Sequence, residues 1–164
     1  MAGRPARGIA LTGVAGVLCG TLLTLACQSP PPAAPPEAAR RVIRPERSPN
    51  TGLPLSPGIL VGNTLYLAGH LGRDPATAQL VPGGIEAETR QALDNLGEVL
   101  KAAGMGFEDV TTVTAFITSF DDFAGFNTVY REYFPADPPA RTTVQVAGLN
   151  AGARIELQMI AARP

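Results

Sequence analysis

From Leu53 onward the chain alternates between two hydrophobic periods, and that alternation most limits what it can fold into. Ile59 to Val61 and Thr64 to Ala68 are short, aliphatic or β-branched, and separated by Gly62-Asn63. This is the pattern of two strands in a hairpin. Ile85 to Ala103 changes to a spacing of three and four, with Ala92, Leu93, Leu96, Val99, Leu100 and Ala103 on one helical stripe. Glu86 and Glu88 sit in its first turn, where the helix dipole favours negative charge, and Gly104 supplies a stop. Val110 to Thr118 returns to strand. Asp121 or Asp122 is placed to cap a second helix, with Phe123, Phe126, Tyr130 and Phe134 turned inward and Pro135 beyond its end. Two more strands follow, through Arg141 and through Glu156. The order ββαβαββ describes an α+β fold with both helices on one face of a sheet.

Side chains alternate along a strand. Arg141, Thr143 and Gln145 therefore share a face, opposite Thr142, Val144 and Val146. Arg154, Glu156 and Gln158 oppose Ile155, Leu157 and Met159. Val113, Ala115 and Ile117 are expected against the helices. The other, open face is expected to carry Thr112, Thr114, Phe116, Arg141, Thr143, Glu156 and Gln158. A guanidinium and a carboxylate beside an apolar core are unusual. Arginine offers a planar fork of donors that fits a carboxylate. Glutamate can hold a water or carry a proton.

Elimination narrows the chemistry. Both cysteines lie in the first 27 residues, and His70 is the single histidine. A cysteine nucleophile in the domain and the usual zinc ligand sets are thereby excluded. Gly69-His70-Leu71-Gly72 does not open a helix and is no phosphate loop, and no serine sits in a nucleophile elbow. His70 titrates near neutrality, which gives a base role a physical footing, but a lone histidine in a turn reads first as structural. Net charge is −1 and no basic, aromatic-lined face is evident, so no nucleic acid partner is indicated and a ribonuclease reading finds little support. An acid–base site using water, Arg141 and Glu156 remains.

The first residues read differently. Arg4 and Arg7 precede an uncharged apolar run, Ile9 to Ala26, which ends in Leu23-Thr24-Leu25-Ala26-Cys27. Residues 1–27 read as a signal segment. Ala26 before Cys27 resembles a bacterial lipoprotein signal. That implies lipidation at Cys27, export, and a membrane lipid anchor at the cell envelope. With Gln28 rather than Asp next, it implies the outer membrane of a Gram-negative cell. A plain secretory signal, giving a periplasmic protein, and an uncleaved anchor are the alternatives. Residues 28–52 read as a tether, with Pro30, Pro31, Pro32, Pro35 and Pro36 favouring extended chain. Arg40, Arg41, Arg44 and Arg47 make that tether basic, as a solvated linker or a contact for anionic headgroups. The domain is expected to span 53–164.

Within it, Pro139-Ala140-Arg141, Val144, Val146-Ala147-Gly148-Leu149 and Ile155-Glu156-Leu157 resemble the C-terminal signature of the RidA/YjgF family of enamine/imine deaminases. Gly62 to His70, Gln91 to Leu96, Ala103-Gly104 through Val110, and Asp122 to Tyr130 resemble further blocks of that family, in the same order. The resemblance implies a chorismate-mutase-like ββαβαββ homotrimer with ligand sites between subunits. It implies hydrolysis of 2-imino or enamine acids to 2-oxo acids and ammonia, with no cofactor and no metal. By resemblance Arg141 clamps the substrate carboxylate and Glu156 holds the attacking water. The Thr143 backbone, Asn127, Ala68 and Gly69 are the other binding positions. Three positions depart from the family's pattern: Leu55 near a usual tyrosine, Ala68 at a common hydroxyl residue, and Thr143 at a frequent cysteine. The alternative is a non-catalytic trimer that binds small carboxylates or serves as an interaction protein.

Overall fold

The computed structural model describes residues 39–46 and 52–164. Along the chain run β1 (Arg40–Ile43), β2 (Gly58–Val61), β3 (Thr64–Leu67), β4 (His70–Leu71), α1 (Gly84–Ala102), β5 (Val110–Ile117), α2 (Phe123–Tyr133), β6 (Ala140–Gln145) and β7 (Ile155–Ala162). They form one sheet in the order β1-β2-β3-β7-β5-β6, and β4 also pairs with β7. The β5–β6 pair is parallel and the other pairs are antiparallel. Parallel neighbours cannot be joined by a hairpin, and α2 is the crossover between them. The fold is α+β, a mixed sheet with two helices.

The local signals act largely where they stand in the chain. Val61 pairs with Thr64, so Gly62-Asn63 closes a two-residue hairpin, and Gly62 takes the positive φ (59°) that its first turn position needs. At the end of α1 the Gly104 and Met105 amides donate to the Lys101 and Leu100 carbonyls (2.9 and 2.8 Å). This paired arrangement needs the left-handed φ of 73° that Gly104 supplies. Leu93, Leu96, Val99 and Leu100 of α1 and Phe126 and Val129 of α2 are buried against Leu65, Val113, Ala115, Ile117, Ile155 and Leu157 of the sheet. Each large aliphatic side chain so buried contributes about 1.5–3 kcal/mol of transfer free energy.

Four expectations change. Arg40–Ile43, read as tether, is the edge strand β1, paired with β2 from Arg40↔Val61 to Ile43↔Gly58. Ile43 is buried while Arg40, Arg41 and Val42 are exposed, so three of four side chains are polar or on the rim and hide the strand signal. The expectations for residues 1–27, Cys27 included, and for 28–38 and 47–51 lie outside the described residues. Asp122 is the N-cap of α2 but makes no side-chain cap bond. Its buried carboxylate instead accepts two hydrogen bonds from Arg154 (2.9 and 2.8 Å), a bidentate pair that holds the start of β7 to α2. Phe123 is not inward but 37% exposed. The fourth change concerns β6, and it reshapes the site.

Candidate functional site

The register of β6 decides where its arginine lies. Arg141, Thr143 and Gln145 pair with Val113, Ala115 and Ile117. Those three β5 residues are fully buried under the helices. Directly paired residues point the same way. Arg141 and Thr143 therefore stand on the helix face, not on the open face where they were expected. Glu156 pairs with Phe116, and Gln158 with Thr114, on the open face as expected. In one protomer the two residues with the strongest claim to chemistry lie on opposite sides of the sheet.

Arg141 rests against α2. One Nη2–H donates to Asn127 Oδ1 at 2.7 Å. The guanidinium carbon lies 4.5 Å from the Tyr130 ring centre, 4.8 Å from Phe126 and 5.8 Å from Phe123. These are cation–π distances. Burial among the rings lowers the Arg141 pKa, opposed by the charge of Tyr130 and aided by that of Arg131. Arginine stays protonated through such a shift. Among the described residues the ion pairs are Arg90–Glu132, Arg154–Asp122 and Arg163–Asp109, and Arg141 is in none. The result is a partly desolvated guanidinium, oriented by one amide and three rings, with most of its five donors unspent. Burial also pushes the Tyr130 hydroxyl up to about 12. That hydroxyl is buried without a hydrogen-bond partner among the described residues. Thr143 is half-buried one alternate position along β6 from Arg141.

The second half of the site is built around Gly69. β3 covers the end of β7 at Ile160–Ala162, and β4 covers Glu156–Leu157. Ala68-Gly69 is the step between them, and the Ala68 amide donates to the Pro57 carbonyl at 2.9 Å. A Cβ at Gly69 would collide with the Glu156 carboxylate. The side chain of Glu156 thus lies across the bare backbone of Gly69, half-buried and without an ion pair among the described residues. Beside it opens a cavity of about 530 Å³ bordered by Leu55, Gly69, His70, Arg44, Arg73 and Asn95, among others. Desolvation pushes His70 down to about 4, so its ring is neutral at pH 7. Among the described residues no group of three His, Cys, Asp or Glu is placed to hold a metal ion.

The site residues named from sequence thus fall into two clusters: Arg141, Asn127 and Thr143 on one face, Ala68, Gly69 and Glu156 on the other. The aromatic cradle of Arg141 was missed. Phe126 and Tyr130 were read as core by their helical spacing, and spacing alone cannot tell a core aromatic from one that also carries a cation. Arg44 and Arg73 were missed as cavity residues because one lay in the supposed tether and the other in a loop.

Comparison with known proteins sets these clusters in a family. The family model described as Endoribonuclease L-PSP matches residues 45–163. A goat protein named 2-iminobutanoate/2-iminopropanoate deaminase is 46% identical over 122 residues, 74% of this chain and 89% of its own. The Arabidopsis thaliana protein Reactive Intermediate Deaminase A, chloroplastic, is 38% identical over 156 residues, 90% of this chain and 83% of its own. The crystal structure of the YjgF gene product of E. coli superposes with a TM-score of 0.72 at 32% identity, covering 76% of this chain and 99% of that one. These relatives correct the expected location. They are mammalian proteins, an archaeal RutC family protein and a plant protein whose name places it in the chloroplast, and none of them is named as exported or lipid-anchored. An envelope lipoprotein is therefore not the reading they support. Matched over nearly its whole domain by sequence and by fold, the chain belongs to the Endoribonuclease L-PSP family, the RidA/YjgF family of imine and enamine deaminases.

Proposed function

We propose that this protein hydrolyses reactive 2-imino and enamine acids to 2-oxo acids and ammonia, at a site that two subunits of a homotrimer complete together. The observation that carries this reading is Arg141: a half-buried guanidinium, steered by Asn127 and stacked on Tyr130 and Phe126, without an acidic partner among the described residues. Such a group is complementary to a carboxylate brought by a ligand. The names of the most similar relatives supply the reaction.

The chemistry asks little of the protein. A 2-imino acid protonated on nitrogen is electrophilic at the imine carbon. Water adds there, the new hydroxyl loses a proton, the C–N bond breaks, and ammonia leaves with the proton it has gained. Arg141 fixes the carboxylate and therefore the position of the adjacent imine carbon. Glu156 takes a proton from the attacking water and returns it to the departing nitrogen. Orientation and one proton relay are sufficient for such a low barrier. Because Arg141 and Glu156 stand on opposite faces, one protomer cannot present both to one ligand. A cyclic assembly with Arg141 of one subunit facing the neighbouring subunit's Glu156 meets the requirement.

The test is ammonia release from freshly generated 2-iminopropanoate, together with calorimetric binding of 2-oxobutanoate. Arg141→Lys keeps the charge but loses the fork, and weakens the ligand by about tenfold to a hundredfold. Arg141→Ala is worse. Glu156→Gln retains binding and loses hydrolysis. If both activities survive in folded, trimeric Arg141→Ala, the arginine is structural. If the wild type binds 2-oxo acids but releases no ammonia, the protein is a carboxylate-binding relative without turnover.

A further inference from the structure

The cavity beside Gly69 carries a charge pattern that the hydrolysis of a small neutral side chain does not use. Among the described residues it is bordered by Arg44 and Arg73 and by no Asp or Glu. Its volume of about 530 Å³ is far larger than a methyl or ethyl side chain requires and lies in the range of small-molecule pockets.

Arg73 is held in place from two sides. Its carbonyl accepts from Asn95 Nδ2 at 2.8 Å, and its Nη1 donates to the Ala78 carbonyl at 2.6 Å. The adjacent acid, Asp74, does not neutralise it. Asp74 Oδ1 accepts instead from the Ala76 and Thr77 amides (2.7 and 3.1 Å), which shapes the loop that Arg73 spans. Arg44, just beyond the edge strand β1, borders the same cavity and has no ion pair among the described residues. Arg44 and Arg73 therefore border one space that reaches Gly69, against which the Glu156 carboxylate lies, and no Asp or Glu is among its described lining residues. An arginine fixed before binding loses little entropy when it meets an anion.

We propose that this cavity takes an acidic side chain, and that the preferred substrates are dicarboxylic 2-imino acids of about the size of 2-iminoglutarate. This rests on the deaminase reading for the reacting end: Arg141 of one subunit holds the α-carboxylate, the imine carbon lies over Gly69 at the neighbouring subunit's Glu156, and the side chain runs into the cavity toward Arg73 and Arg44. The reaction balances as 2-iminoglutarate plus water to 2-oxoglutarate plus ammonia. The chemistry that supplies such a substrate is the two-electron oxidation of an acidic amino acid, or the release of its enamine from an elimination.

The test compares chains of equal length that differ in the terminal carboxylate. Binding of 2-oxoglutarate and of 2-oxopentanoate is measured by calorimetry on the full chain. Ammonia release is measured from 2-iminoglutarate and 2-iminopentanoate, each generated by an amino-acid oxidase. The wild type favours the dicarboxylic member of each pair by about tenfold or more, the scale of one charge-assisted hydrogen bond. Arg73→Met lowers that ratio by about tenfold. Arg44→Gln, at an exposed position outside every strand and helix, lowers it as well, with the thermal midpoint measured alongside to confirm folding. Equal affinities for the two ligands, or a ratio that neither variant moves, overturns the proposal while deamination of 2-iminopentanoate leaves the deaminase reading standing. Arginine-dependent binding of 2-oxoglutarate without ammonia release upholds the cavity and removes the deaminase reading. Absence of both binding and turnover removes both.

Discussion

At the scale of residues, the site depends on an atom that is missing. Gly69 is not in a conformation that demands glycine, since its φ is not among the positive values. It is glycine because the Glu156 carboxylate occupies the place of its Cβ. The obstacle is the end of a flexible side chain, so Gly69→Ala leaves thermal stability within about 1 kcal/mol of wild type while swinging the carboxylate away. Hydrolysis falls at least tenfold with 2-oxo acid binding largely retained; an alanine variant of full activity would show that Glu156 is not held there for chemistry. His70 has a different consequence. It faces Arg44 and Arg73 across one cavity and Asp94 and Glu98 across another. Desolvation lowers its folded pKa to about 4, against 6.5 ordinarily. As pH falls the unfolded chain takes the proton first. The stability that His70 contributes is whole above about 6.5 and is lost toward pH 4, on the order of 2 kcal/mol after allowance for partial exposure. Denaturant titrations at pH 7 and 4.5 check this: His70→Gln loses less stability on acidification than wild type, and equal losses would contradict it.

At the scale of elements, the short strand β4 ties the Glu156 cluster to α1. A Cβ at Gly72 would meet the backbone of Glu88 in α1. The strand can approach the helix this closely only without a side chain, and the Glu88 carboxylate reaches over to accept the Arg154 amide at 2.8 Å. Unlike Gly69, this obstacle is backbone and cannot rotate aside. Gly72→Ala therefore costs about 1–3 kcal/mol, read as a lower denaturation midpoint with an unchanged slope. The elements that were legible in the sequence are those with a long run of one period: α1, α2 and β5, whose Val113, Ala115 and Ile117 face the helices as read. Two residues of β4 are too few for any period to register. In β1 only Ile43 is buried, so three outward side chains resemble a basic linker. For β6, alternation divides Arg141, Thr143 and Gln145 from Thr142 and Val144 but does not say which set faces the helices. Charge argued for the open face. The open edge of α2, where Phe123 is partly exposed and Asn127 supplies an acceptor, makes the helix face habitable for a guanidinium.

At the scale of the whole molecule, the separation of Arg141 from Glu156 is the central fact. Both were named from the sequence together with Asn127, Thr143, Ala68 and Gly69, because strand alternation and family resemblance are properties of the chain. Their division between two faces was not legible, because it follows from the parallel register of β6 on β5 and the antiparallel register of β7 on the other side. A site that needs both residues is then a property of an assembly, and it makes a prediction no single-chain site makes. On the proposed roles, Arg141→Ala subunits lack the clamp and keep Glu156, and Glu156→Gln subunits lack the relay and keep Arg141. Co-assembled from equal amounts, they form some interfaces that join a sound arginine to a sound glutamate, about a quarter of all sites for random cyclic mixing. Ammonia release from 2-iminopropanoate by the whole co-assembled preparation, each parent being inactive alone, should recover to about that fraction of wild type. Mixed trimers as inactive as either parent would contradict a site shared between subunits.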